Sequence, residues 1–385
     1  MLLVTPGSSE DLAGLLKQAA AASRSLTVIG NNSKHLMAGP AGQADVVVST
    51  SRLNRVLQYE PNDLTISVEA GMRWADLAEL LARKRQMIAL DPPFWQQATV
   101  GGVVASNSSG PLRRGFGTAR DLVIGMQFAT LDGKLVPVGG MVVKNVAGLD
   151  IGKLMIGSFG TLAVMTSINF RLHAMPEATN SFLFSFPDLD ATLKQRNDIL
   201  ASPLRPLSLD LLTPPAAARI GQRGFLLAVR AGGSSGVLER YARDLSGSLR
   251  LAGSDDESLW AQIREFSADF LGRQPSGVIL RIATPLSDIG KLLRLVSGAC
   301  VCRAASGVTY IYLSSWQGAA PLWQNAAQHG WTAVVEYAPT EIRATHDLWL
   351  TNTNSADSTF DMMKRVKHMF DPENLLNRSR LYGRI

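Results

Sequence analysis

The chain has two cysteines and five histidines among 385 residues, and that scarcity excludes several chemistries at once. Cys300 and Cys302 stand one residue apart, which suits neither a C-x-x-C redox pair nor a four-thiolate iron–sulfur cluster. Both are expected as buried free thiols. His35, His173, His329, His346 and His368 are scattered, with no H-E-x-x-H or paired-histidine spacing, so no metal site is expected. No apolar run approaches the roughly 18 residues of a membrane-spanning helix. Met1 to Pro6 carries no basic segment of the kind that opens a secretory signal, so a cytoplasmic location is expected. A basic stripe interleaved with aromatics is also missing, which argues against nucleic acid as a partner.

What is present describes a globular protein with a large interior. Hydrophobic residues make up 46% and charged residues 18% of the chain, and a length of 385 suggests two or three packed units. The net charge of +6 comes from scattered Lys and Arg, with Arg113, Arg114 and Arg120 the densest group, and it fits an anionic ligand.

The densest local signal runs from Thr99 to Gly125. There Gly101-Gly102, Ser106-Asn107-Ser108-Ser109-Gly110 and Gly115-Phe116-Gly117 follow one another, a composition that lets backbone press on a ligand and offer it N–H donors. A second such place follows the strand Leu26–Ile29. Gly30-Asn31-Asn32-Ser33-Lys34 combines backbone donors, a hydroxyl and an ammonium in one turn, as a pyrophosphate requires, although it matches neither the Walker A nor the G-x-G-x-x-G spacing. A third lies at Gly157-Ser158-Phe159-Gly160-Thr161 and leads into a β-branched strand.

Periodicity supplies the frame. Ser8 to Ala22 reads as a capped helix, Arg73 to Arg85 as another with Trp74, Leu77, Leu80 and Leu81 on its apolar face. Asp132-Gly133 closes a hairpin between Met126–Leu131 and Lys134–Val138. Strands at Ser181–Phe186, Phe225–Arg230, Val278–Ile282 and Val308–Leu313 alternate with helices, which predicts an antiparallel sheet backed by helices in the second half. The fold class expected is α+β.

The order of the glycine turns resembles the flavin-binding domain of the vanillyl-alcohol oxidase/p-cresol methylhydroxylase (PCMH) type. The residues that carry the resemblance are Gly30 to Lys34, Thr99-Val100-Gly101-Gly102 with Arg120 to Gly125, Lys144-Asn145-Val146-Ala147-Gly148, and Gly157 to Leu162. Ser109-Gly110-Pro111-Leu112-Arg113 and the ending Phe370-Asp371-Pro372 are similar to the FAD-binding subunits of bacterial glycolate oxidases.

The resemblance implies a two-subdomain PCMH-type FAD-binding domain at 1–175, a small antiparallel α/β cap domain at 176–340 facing substrate or partner, and a segment 341–385 returning to the flavin domain. It implies that Gly30, Asn31, Asn32, Ser33, Lys34, Gly101 and Gly102 hold the FAD pyrophosphate, and that Ser106, Asn107, Gly110 and Gly117 lie along the ribityl and ring. Gly160 and Val164 of the third turn would approach the adenine side or the back of the flavin, and Thr99, Val100 and Asp121 count among the cofactor-binding residues. FAD is expected to be non-covalent, because His35 follows Ser-Lys and not the Gly-Gly pair that precedes a linking His in some relatives. Asn377 and Arg380 are the candidates for gripping a substrate carboxylate.

The activity implied is hydride transfer from a 2-hydroxy acid to flavin, followed by electron passage to an iron–sulfur subunit in a complex that includes a sister flavin subunit. Such a complex associates peripherally with the inner membrane. The alternatives are a self-sufficient dehydrogenase and a non-catalytic assembly subunit.

Overall fold

The computed structural model describes residues 2–40, 42–141, 150–350 and 356–385. The expected Lys144 to Gly148 element lies outside them. Two small sheets carry the first part of the chain. One is parallel and three-stranded, in the order Leu2–Val4, Val46–Ser49, Leu26–Ile29. The other is antiparallel and five-stranded, in the order Val56–Glu60, Thr65–Glu69, Val164–Arg171, Val123–Ala129, Leu135–Gly139. Its last two strands form the hairpin predicted around Asp132-Gly133.

Helix Ser9–Ala21 covers the parallel sheet because Leu12, Leu16 and Ala19 recur on one face, and the Ser8 hydroxyl caps it by accepting from Asp11 N–H at 3.0 Å. Helix Trp74–Ala82 buries Trp74, Leu77 and Leu81 against the five-stranded sheet. It is shorter than the periodicity suggested, since Arg83 already turns back on Leu81 and Glu79. At about 1.5–3 kcal/mol per fully buried large apolar side chain, these two apolar faces hold the helices in place.

The second half forms a nine-stranded antiparallel sheet. Its order is Leu249–Ala252, Ala178–Phe186, Phe225–Gly233, Ser208–Leu212, Ala299–Arg303, Val308–Leu313, Val278–Ala283, Thr332–Tyr337, Trp349–Leu350. The antiparallel character agrees with expectation, and the sheet runs past residue 340 to Leu350. One face is covered by helices, including Leu189–Ala201 and Ser235–Asp244. The 20-residue helix Ser254–Arg273 was not foreseen. It carries Trp260, Ile263, Phe266 and Phe270 into the core, and its Glu265 carboxylate accepts the backbone N–H groups of Phe94 and Trp95 at 2.9 and 3.1 Å, which ties the sheet to the flavin-type domain.

The C-terminal segment returns to the parallel sheet. Leu26 N–H donates to Leu375 O and Asn377 N–H donates to Leu26 O, both at 2.8 Å, so the chain end lies against the strand that opens into Gly30.

Candidate cofactor site

Two clefts meet at Ser106. The first encloses ≈730 Å³ and is built on the turn after Leu26–Ile29, with Gly30, Asn31, Asn32, Ser33, Lys34, Thr99, Gly102, Ser106 and Arg380 all lining it. A Cβ at Gly30 would stand 2.2 Å from Thr99 Oγ1, so the absence of a side chain lets the first glycine turn and the second approach each other. Thr99 caps the short helix Val100–Ala105 by accepting from Gly102 N–H at 3.3 Å. Asn32 adopts a left-handed φ of 53°, which turns the chain from the strand into the cleft wall.

The floor of this cleft is cationic. Burial pushes the Lys34 ammonium down to about 8, against the pull of Glu265 and Glu336, and its Nζ has no hydrogen-bond partner. Arg380 and Arg343 are also depressed by burial, and both donate to the carbonyl of Gly39. Lys34 and Arg380 line the cleft, and among the described residues neither has an ion-pair partner, an arrangement that favours a bound anion. The residues present therefore fit a dinucleotide with a charged pyrophosphate.

The C-terminal ending braces the same turn. Asn377 accepts Val28 N–H at 2.7 Å and donates from Nδ2 to the carbonyls of Phe159 and Gly160, at 2.8 and 3.2 Å. Below it the Lys367 ammonium, buried, donates to Asp371, to Thr161 O at 2.7 Å and to Leu376 O at 2.9 Å, while Asp371 accepts the N–H groups of Leu375 and Leu376. Asp371 thus fixes the bend that Pro372 begins.

The second cleft encloses ≈670 Å³ between Ser106–Ser109 and the face of the nine-stranded sheet. A polar stripe crosses adjacent strands there. Asp210 pairs in register with Arg303 and binds it through a salt bridge, Tyr310 stands beside Arg281 in register, and Arg281 Nε meets Glu336 Oε2 at 2.7 Å. Burial outweighs the Arg303 charge at Asp210 and pushes its carboxyl up to about 6. Burial likewise raises Tyr310, and raises Tyr337 well above the ordinary phenol range. Three buried polar atoms on these lining residues lack partners: Arg303 Nε, the Tyr337 hydroxyl and Asn107 Oδ1. Buried polar groups are normally satisfied, so a ligand in this cleft would meet three atoms with free hydrogen-bonding capacity.

Several expected site residues have other work. Asn377 and Arg380, expected to grip a substrate carboxylate, spend their side chains on backbone, Arg380 donating to the carbonyls of Met37, Gly39 and Lys34. Gly117 has φ 84°, and Asp121 closes a capping box with Thr118. Gly110 sits where a Cβ would be 1.9 Å from Asp91 O, and Gly101 packs on Ala70. Val100 and Val164 are core residues, and Gly160, with φ 68°, supports Asn377. Of these, only Arg380 lines a cleft, the first.

Arg281, Arg303 and Glu336 escaped sequence reasoning. Their signal was a lone charged residue inside a strand apolar on both sides, V-I-L-R-I, A-C-V-C-R and V-V-E-Y. Among the described residues no group of three His, Cys, Asp or Glu could hold a metal ion, and no helix is long and apolar enough to cross a membrane.

Comparison with known proteins places these features. Residues 1–149 match the model "FAD binding domain", and residues 344–381 match "FAD linked oxidases, C-terminal domain". The chain is 31% identical to glycolate oxidase subunit GlcE of Escherichia coli over 278 residues, covering 72% of this chain and 73% of that one. It is 24% identical to glycolate oxidase subunit GlcD of Bacillus subtilis, covering 89% and 80%. Among solved structures, 4-ethylphenol oxidase from Gulosibacter chungangensis shares the fold with a TM-score of 0.73 at 15% identity, over 98% of this chain and 88% of that one. An alkyldihydroxyacetonephosphate synthase does so with a TM-score of 0.73 at 15% identity, over 97% and 76%. The chain belongs to the PCMH-type family of FAD-linked oxidoreductases, and FAD is its cofactor.

Proposed function

We propose that this protein binds FAD non-covalently along the two clefts and oxidises a small 2-hydroxy acid held in the second, as the FAD-binding subunit of a glycolate-oxidase-like dehydrogenase. The observation that carries this reading is the pair of unpartnered donors, Arg303 Nε and the Tyr337 hydroxyl, in a cleft that continues from the cationic one. In this reading the backbone of Gly30 to Lys34, with Thr99 and Gly102, faces the pyrophosphate, and Ser106 and Asn107 follow the ribityl chain and ring.

FAD, when bound, supplies the acceptor for the α-hydrogen as hydride. Arg303 and Arg281 hold the substrate carboxylate beside the ring, guanidinium against carboxylate. Glu336 gives Oε2 to Arg281, and its Oε1, which takes no hydrogen bond among the described residues, accepts the proton of the substrate hydroxyl. The Tyr337 hydroxyl, carried on a ring packed against Phe94 with centroids 5.7 Å apart, fixes the substrate's orientation.

Electrons then leave to an iron–sulfur partner, with a sister flavin subunit in the same cytoplasmic complex. Relatives named as subunits of glycolate oxidase support that assembly. The division into 1–175, 176–340 and 341–385 is retained as the working domain map.

The test is the visible spectrum of the purified chain before and after acid precipitation, followed by anaerobic addition of glycolate and of lactate. Flavin released into the supernatant and bleached by either acid supports a substrate-oxidising subunit. Flavin that stays oxidised with both assigns substrate oxidation to the sister subunit, and a colourless protein overturns the reading.

A further inference from the structure

We infer that Lys34 is the counter-charge for the flavin ring and not for the pyrophosphate, and so sets how readily bound FAD accepts hydride. The inference rests on the reading above that FAD occupies both clefts. Lys34 belongs to the glycine turn, yet its ammonium does not stay with that turn's exposed part. Asn31 and Asn32 are exposed at the mouth, whereas Lys34 Nζ is buried, 6.0 Å from the centroid of the Phe94 ring. Phe94 in turn packs on Tyr337 of the second cleft.

The carboxylates that Lys34 feels point the same way. They are Glu265, from the helix that grips Phe94 and Trp95, and Glu336, from the stripe that lines the second cleft. Neither forms an ion pair with it. Lys34 thus lines the first cleft with its ammonium beside Phe94, whose ring packs on Tyr337 of the second.

A buried ammonium without a bonded partner is unfavourable, and a ligand that becomes negative beside it relieves the cost. Hydride transfer does this to the ring. One proton and two electrons leave the α-carbon together, the hydroxyl proton departs separately to a protein group, and the neutral oxidised ring gains one negative charge. A fixed cation at that point favours the reduced state, because charge near the ring tunes its electronics. Phosphate charge, by contrast, is the same in both oxidation states, so a lysine bound to pyrophosphate changes affinity and leaves the redox equilibrium where it was.

The experiment compares wild type with Lys34→Met and Lys34→Arg, each reconstituted with FAD. FAD affinity is read by flavin fluorescence, and the redox equilibrium against a two-electron reference dye. The expected result is unchanged affinity in Lys34→Met with an equilibrium displaced about tenfold toward oxidised flavin, ~30 mV for a two-electron couple, and a wild-type equilibrium in Lys34→Arg. Weakened FAD binding at an unchanged equilibrium, or no change in either, overturns the inference while leaving the FAD reading intact. If Lys34→Met does not fold, Lys34→Gln takes its place under the same two criteria. Wild type that takes up no FAD would instead sink the FAD reading.

Discussion

The side-chain oxygen of Asn377 accepts the Val28 backbone N–H at 2.7 Å, across 349 positions of sequence. Through this bond, and through the Asn377 amide on Phe159 and Gly160, the chain end fixes the strand and the third glycine turn relative to each other. Asn377 also occupies a left-handed φ of 47°, which asparagine tolerates better than most residues. Asn377→Ala is expected to cost about 2–4 kcal/mol by leaving buried backbone groups unpaired. Asn377→Asp should be at least as damaging, since it aims a carboxylate oxygen at two carbonyls. Urea unfolding of the three proteins checks both expectations.

Gly110 separates a packing role from a ligand-binding one. Its missing Cβ lies 1.9 Å from the carbonyl of Asp91, a backbone atom that cannot move aside. Gly110→Ala should therefore lower the thermal midpoint of the apoprotein, before any cofactor is added. Gly236→Ala, with nothing within 4 Å of the added carbon, should leave it within a few degrees.

The depressed Lys34 gives the apoprotein and the reduced FAD complex opposite responses to pH. With a folded value of about 8 against 10.5 unfolded, the unfolded chain holds more protons between those limits, so this group's contribution to apoprotein stability rises with pH across that window. The oxidised ring puts no charge beside the ammonium, so affinity for oxidised FAD should not change through this group. Reduction adds one negative charge there and draws the value back up, so reduction of bound FAD should take up an additional proton in the same window. The redox equilibrium against a reference dye, followed across pH, measures the uptake, which Lys34→Met should abolish.

Tyr337 offers the cleanest test of the second cleft. Its hydroxyl has no hydrogen-bond partner among the described residues, so Tyr337→Phe should leave stability equal or higher. If the hydroxyl orients substrate, kcat/KM should drop about 3–10-fold, the equivalent of one neutral hydrogen bond. The FAD spectrum should not change.

Much of the flavin-type domain was legible in the chain. The capped helix at Ser9–Ala21, the Asp132-Gly133 hairpin and the glycine turns at Gly30 and Thr99 are local signals, and they stand where periodicity and turn chemistry put them. Within the glycine-rich stretch, composition could not separate glycines that face a ligand from those that let two backbones touch. Gly30 and Gly102 line the cleft; Gly101, Gly110 and Gly117 meet Ala70, Asp91 and Asp121.

Sequence by itself determined the α+β class, the flavin family and the glycine turn at Gly30 to Lys34, because each depends on neighbours in the chain and on motif order. Tertiary structure decided the second cleft, since Arg303, Tyr310, Arg281 and Glu336 come from four strands and become neighbours only through sheet register. It also decided that Asn377 and Arg380 brace the turn, because a side chain's free valences are known only once the carbonyls around it are in place.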